Sequence, residues 1–357
     1  MDKERLYIDI HAIQTLPPSN INRDDAGNPK NAIYGGVRRA RVSSQSWKRA
    51  IRQYFIREAP ENLGIRSLNV IKYVSDIMMN KDSSLTENDA MERAEKIFNC
   101  AGIKTKDKKA KALFFLGKKQ AELLAEAALK NVSDKEEIKA ILQKNPAVDI
   151  AMFGRMVADD PSLNEDASVQ VAHAISTHAV QTEFDFYTAL DDLAPENNAG
   201  AGMLGTVQYN SSTLYRYANI ALHELVKQLG SKEKAIAAAC LFIQAFANSM
   251  PTGKSNTFAN QTLPHMLMVN IRKDRPVNLV TAFENPVKSH IDNPCGNSTP
   301  SIERLFAEVK KTEKFVLAPL CSLYVVDENI KKPEWATEKD NILDLLDEFV
   351  QLLEKNI

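Results

Sequence analysis

The chain has 357 residues, 45 basic against 46 acidic, with 44% hydrophobic and 25% charged residues, an ordinary balance for a soluble globular protein. That length allows two domains, or one domain carrying a large insertion. No apolar run approaches transmembrane length, the opening MDKERLYIDI has no signal-peptide core, and Cys100, Cys240, Cys295 and Cys321 show no CxxC pairing; no membrane span, disulfide framework or zinc site is expected, and a cytoplasmic protein with reduced thiols is.

In chain order, Leu6, Ile8, Ile10 and Ala12 alternate with Tyr7, Asp9 and His11, the pattern of a half-buried strand. The turn-rich LPPSNINRDDAGNPK follows. Next comes KNAIYGGVRRARVSSQSWKRAIRQYFIR, in which Lys30, Arg38, Arg39, Arg41, Lys48, Arg49, Arg52 and Arg57 occur without one acidic residue. A local positive field in a neutral chain needs a local reason, and a phosphate backbone supplies one. Gly35-Gly36 marks a turn and Arg38–Val42 an extended segment. Ser43 or Ser44 is placed to cap a helix over about 45–57, although no capping box backs it. Trp47, Ala50, Ile51 and Tyr54 form its apolar stripe. Lys48 and Arg52, four residues apart, repel unless an anion sits between them.

From about 61 to 169 the pattern changes to helices with charged faces, as in an inserted helical subdomain. Thr86 caps one helix, and Ser133 with Glu136 makes a capping box for another. The KTKDKKAK run at 104–111 reads as solvated lysines, and Phe153, Met156 and Val157 read as core from their spacing. Beyond Leu190 comes a long glycine- and asparagine-rich loop with Met203-Leu204 as an isolated apolar pair; loops of this length inside compact domains are usually functional or disordered. A strand over 212–218, a helix ending at Gly230, an alanine-rich helix over about 232–248, a strand over 264–271, a helix after Pro300, a strand over about 315–326 and a last helix over about 340–353 complete an α+β chain.

Candidate catalytic groups do not assemble. Gly253-Lys254-Ser255 resembles the end of a P-loop, but Asn248 stands where the first glycine is required, leaving at most one phosphate contact by Lys254. His173 and His178 are five apart, about 140° around a helix, so they share no ligand face. Asp185, Asp191 and Asp192 form the one carboxylate cluster that would suit a metal-dependent nuclease, yet no DxD or HxxE pattern accompanies them. From the residues, the chain is a polyanion binder without adjoining catalytic machinery.

Several motifs then resemble one family in order and in register: PSNINRDDAG, YGGVRRARVSSQSWKRAIR, VDIAMFGRM, VAHAISTHAV, the DDL–loop–LGT segment and SSTLYRYANIAL. They are similar to the CasC family, the repeated backbone subunit of the type I-E CRISPR Cascade surveillance complex. The resemblance implies an RRM-like (ferredoxin-like) palm over 1–60 and 170–357, a helical fingers insertion over 61–169, and a long β-hairpin thumb at 188–212. It implies a non-enzyme without cofactor or metal. Its partners would be CRISPR RNA, target DNA through the guide, copies of itself in a filament, and the large, small, guide 5′-end-capping and guide-processing Cascade subunits. By position, Asn22, Arg23, Ser43, Gln45, Lys48, Arg49 and Arg52 would hold the guide backbone, together with Lys30, Arg38 and Arg41 of the same basic run. Met156, Tyr187, Thr188, Leu190, Met203 and Leu204 would wedge at a kink in the guide, and Lys254 would add a contact.

Overall fold

A computed structural model describes residues 5–190, 200–288, 296–327 and 330–356. Its opening strand, Tyr7–Ser19, pairs antiparallel with the long strand Gly200–Ala221 on one side and with Met266–Arg272 on the other. Cys321–Val326 and the short parallel edge Thr337–Glu338 extend the sheet past Met266–Arg272. On the far side of the long strand lie Val169–Val171 and Ala174–Ser176, then Val37–Val42 and Asn31–Tyr34. Gly35 and Gly36 close that last hairpin with φ of 59° and 77°. A Cβ on Gly35 would come within 1.7 Å of the Glu284 carbonyl oxygen, so only glycine fits there.

Helices Ser44–Glu58, Leu222–Leu229, Lys232–Asn248 and Ile342–Asn356 cover one face of the sheet, around a core of Ile8, Ile10, Ile51, Phe55, Phe242, Phe246 and Phe349. The opposite face is covered too, by Leu279–Phe283 and the helix Ser298–Thr312 over Ile13, Tyr215, Met268 and Tyr324. The opening strand is therefore not half-buried: Asp9 and His11 are 0% exposed. Its polar alternation reflects an internal network, not a wet face. Asp9 pairs with Arg272 at 3.0 Å and accepts from the Tyr217 hydroxyl at 2.7 Å and the Val277 amide at 3.0 Å.

Residues 70–163 enclose a second core, from Val70 and Phe98 through Leu124 to Leu163. Four helices, Val70–Lys81, Glu87–Cys100, Lys118–Leu129 and Lys135–Gln143, build it with one short hairpin and the antiparallel pair Gly64–Ser67 with Phe114–Gly117. Thr86 caps its helix as expected, accepting from the Asp89 amide. At the start of Lys135–Gln143 the cap is Asp134, one residue beyond Ser133, because its carboxylate accepts from both the Glu136 and Glu137 amides. The KTKDKKAK lysines form a hairpin, Thr105–Lys106 with Lys109–Ala110, turning through Asp107 and Lys108 at φ of 53° and 56°.

Three further expectations are corrected. The strand placed at 212–218 begins at Gly200 and runs for 22 residues, because the glycines of that stretch pair with Glu183–Leu190 instead of looping. The strand placed at 315–326 begins only at Cys321; Phe315, Leu317 and Leu320 are exposed before it. His173 directly precedes the strand Ala174–Ser176 and His178 makes an isolated bridge to Val287, so neither sits on a helix.

His178 is nevertheless a hydrogen-bonded interior histidine. Its Nε2 accepts the Thr213 amide at 3.0 Å, which leaves Nδ1 as the donor to the Ala179 carbonyl at 2.9 Å. Burial, with Arg39 nearby, pulls its pKa below the ordinary histidine value. A folded pKa below the unfolded one gives stability that is present above about pH 6.5 and is lost as pH falls, by at most about 1.4 kcal/mol per pH unit. Asp9, pushed up to about 6 by burial, has the opposite sign between its ordinary value and about 6, whereas His11, pulled down to about 3, adds to His178. The wild-type-minus-variant difference isolates His178: urea midpoints should fall less steeply from pH 7 to pH 5 in His178→Gln, which keeps an acceptor, than in the wild type.

Candidate nucleic-acid interface

The basic helix is set by its cap and its buried stripe. Ser43 has extended backbone angles, and its Oγ accepts the Ser46 amide at 3.3 Å. The amide of Ser43 is held in turn by Asn22 Oδ1 at 2.8 Å. Trp47, Ala50, Ile51 and Phe55 are buried. Turning that face inward leaves Gln45, Lys48, Arg49 and Arg52, spaced i, i+3, i+4 and i+7, as a second stripe along the opposite side.

That second stripe lines a cleft of about 800 Å³ between the helix and the inserted subdomain. Across from it stand Arg66, Phe115, Phe153 and Met156, with Asn164, Glu165 and Asp166 at the margin. Met156 is 82% exposed, although its spacing alone read as core. The local reason is an alternation: Arg155 N and O pair with Glu165 O and N at 2.9 and 2.8 Å, and the Val157 amide donates to Asn164 Oδ1. Arg155 and Val157 thereby point inward, and Met156 between them points out.

The basic residues divide by partner. Arg39, absent from the candidate contacts, is fully buried and donates to the carbonyls of Tyr34, Ser176 and Phe283. Arg52 is not a free seat for an external anion. Its Nε donates to Asp149 Oδ2 at 2.8 Å, its Nη2 to the Gly64 carbonyl at 2.6 Å, and the guanidinium lies 4.9 Å from the Phe115 ring centre. The anion that relieves the Lys48–Arg52 repulsion is thus internal: Asp149 is 0% exposed and also accepts the Gly64 amide at 2.9 Å. Burial raises the Asp149 pKa despite these donors. Lys48 is half-buried and held below the ordinary lysine range by burial, while Arg49 is exposed. Neither makes an ion pair among the described residues.

A second group gathers where the opening strand ends. Asn20 donates to the Gly27 and Gln208 carbonyls, tying the Asn20–Lys30 loop to the base of the long strand. The Lys30 amide donates to the Asn22 carbonyl and its carbonyl accepts the Arg41 amide, placing Lys30 and Arg41 beside Ser43. Arg41 contacts His173 at 3.1 Å, and Arg23 and Arg38 are exposed. Gly253 abuts this loop, since a Cβ there would lie 2.3 Å from the Ile21 carbonyl oxygen; Lys254 follows with φ of 51°.

The hairpin Glu183–Leu190 with Gly200–Tyr209 projects from the sheet. Phe184, Phe186 and Leu204 are exposed at 65%, 65% and 67%, and the register puts them with Thr188 on one face. Tyr187 lies on the other face, its ring against Gly205. Leu190 and Met203 lie in the hairpin backbone, with side chains outside the described residues; Asp191 and Asp192 fall outside them altogether. Asp185 is exposed, and no cluster of metal-ligating side chains occurs among the described residues. Phe184, Phe186, Arg66 and Phe115 escaped sequence reasoning. The Phe-Asp-Phe alternation was a usable strand signal; only tertiary pairing brings Arg66 and Phe115 to the cleft.

These features define an α+β protein with a basic cleft, an apolar outward methionine and a projecting aromatic hairpin. The chain belongs to the CT1975-like protein family, which matches residues 8–351. It is similar to a solved chain of a "CRISPR RNA-guided surveillance complex, pre-nicking", with 31% identity, a TM-score of 0.84, and coverage of 97% of this chain and 100% of that one. A chain of a "CRISPR RNA-guided surveillance complex" matches at 27% identity and a TM-score of 0.76, over 97% and 99% of the two chains. No curated protein sequence matches. The CasC resemblance drawn from the motifs agrees with these findings.

Breaking a buried ion pair on one side strands the other charge. Arg52→Ala should therefore lower stability by about 3 kcal/mol, whereas Lys48→Ala should stay within about 0.5 kcal/mol, read by urea unfolding. Equal effects of the two would mean that the Asp149 pair does not anchor the cleft.

Proposed function

We propose that this protein is the non-catalytic backbone subunit of a type I-E CRISPR Cascade complex, holding the CRISPR RNA guide by its phosphates in the cytoplasm. The observation that carries this is the convergence of Gln45, Lys48 and Arg49 with the outward Met156 in one cleft, in a chain whose fold matches surveillance-complex chains over nearly its full length. The strand order supports an RRM-like, ferredoxin-like palm: Met266–Arg272, Tyr7–Ser19, Gly200–Ala221 and Val169–Val171 lie side by side, all antiparallel, with the basic helix and Lys232–Asn248 as crossovers.

On this reading the guide backbone follows Arg23, Lys30, Arg38, Arg41, Gln45, Lys48 and Arg49, charges that position a strand without reading its bases. Asn22 and Ser43 shape that path while already bonded to each other. Met156 and the hairpin act as apolar faces against bases, kinking the guide so that it pairs with target DNA in segments, a mode suited to any sequence. Copies stack along the RNA, joined by the other Cascade subunits. The nuclease alternative through Asp185, Asp191 and Asp192 is not favoured, because the matching chains are described as surveillance complexes.

Two measurements test it. Binding of guide-length single-stranded RNA should weaken with salt at a slope of about −0.7 per phosphate neutralised, and Lys48→Ala with Arg49→Ala should flatten that slope by about 1.4. On a sizing column the protein should shift to a multimer with guide-length RNA. A monomer at all RNA lengths would leave a solitary RNA-binding module instead, and RNA cleavage with Mg²⁺ that is lost in Asp185→Ala would restore the nuclease.

A further inference from the structure

The SSTLYRYANIAL motif contains an arginine that the guide path does not use. Arg216, on the long strand, is 2% exposed and cannot reach an external ligand. Its guanidinium is sandwiched between Trp47 and Phe246, 3.6 and 4.3 Å from their ring centres. Nη1 donates to Gln14 Oε1 at 2.6 Å and Nη2 to the Phe246 carbonyl. Arg52 and Arg272 each have a buried aspartate; Arg216 has no carboxylate partner among the described residues. Its charge is balanced by two ring faces, an amide oxygen and a carbonyl in the last turn of Lys232–Asn248, where the helix dipole is negative.

Those three anchors belong to different elements, and each leads to one candidate phosphate-holding segment. The strand bearing Gln14 runs on into Asn20–Arg23. Trp47 sits in the first turns of the helix bearing Gln45, Lys48 and Arg49. The helix ending just past Phe246 continues into the loop bearing Lys254, which abuts Ile21 through Gly253. Gln14 extends the lock by donating to the Thr262 carbonyl at 2.8 Å.

We infer that Arg216 is a positioning residue for the guide interface, fixing the spacing of these three segments so that they engage successive phosphates together. Its planar fork and stacking face are both required, which a lysine does not supply. Burial lowers its pKa to about 9, so it stays a cation at neutral pH.

This inference rests on the RNA-binding reading, and the test separates the two. Full-length wild type, Arg216→Met and Arg216→Lys are compared for binding of a labelled guide-length RNA across a salt series, with thermal unfolding in parallel. Both variants should bind more weakly below their melting temperatures, with slopes shallower by about 0.7 for each phosphate no longer engaged. A merely structural role would lower the melting temperature and leave the slope intact, which overturns the inference. Full binding by Arg216→Lys with loss in Arg216→Met would assign Arg216 a long-range field effect and also overturn positioning. If Arg216→Met fails to fold, Arg216→Lys alone carries the decision. A wild type that shows no salt-dependent binding would sink the RNA reading itself.

Discussion

The Arg52–Asp149 pair fixes the geometric relation between the two walls of the cleft, on which the proposed site depends. Arg52 leaves the basic helix of the sheet domain, Asp149 opens the short helix Val148–Phe153, and the Gly64 backbone bonds to both. Three chain segments, at 52, 64 and 149, are thus pinned together beside the cleft that Arg52 lines. Desolvating such a pair is expensive, and an apolar replacement of equal volume is often as stable. What the pair supplies is a fixed orientation between the helix carrying Lys48 and Arg49 and the turn carrying Met156. An electrostatic surface works only when its charges have a stated distance from the apolar face opposite.

The same run of sequence supplies both structural and available charge, and nothing local distinguishes them. Arg38 and Arg39 are adjacent; one is exposed and the other is buried among four carbonyls. Strand alternation places them on opposite faces, but which face is covered depends on Phe283, some 240 residues away in sequence. Likewise Lys48 and Arg52 share a helix stripe, and only the fold reveals that Asp149 has taken the second. The sequence made the cluster and its helix legible through Ser43 and the Trp47 stripe, because caps and helical periodicity are local. It left the division of labour illegible, because counter-ions are tertiary.

A similar limit explains the misread strands. Period-two alternation in Tyr7–His11 signals that the two faces differ in chemistry, not that one is wet. Here the polar face meets Arg272, Tyr217 and Asn270, so a network replaces water, and the strand is covered on both sides. The stretch from Gly200 failed in the other direction. Glycine at 200, 202 and 205 argues for a loop by propensity, yet Gly205 lies opposite Tyr187, whose ring occupies the space a side chain would need. Glycine in a strand then marks close approach of a neighbour, which propensity alone cannot separate from a turn.

The hairpin register constrains how that element would act on a guide under the proposed function. A single stacking wedge requires its apolar side chains to share a face, but Tyr187 and Leu204 are on opposite faces of this two-stranded ribbon. One face carries Phe184, Phe186 and Leu204 in a row; the other has Tyr187 folded onto Gly205. A ribbon with apolar groups on both sides separates what lies before it from what lies behind it. Inserted across an RNA strand, such a ribbon contacts the base on each side with a different residue set, so the two flanking bases meet unlike surfaces. The apolar cost of exposing those phenylalanines in the free chain is then recovered when the face that carries them is covered.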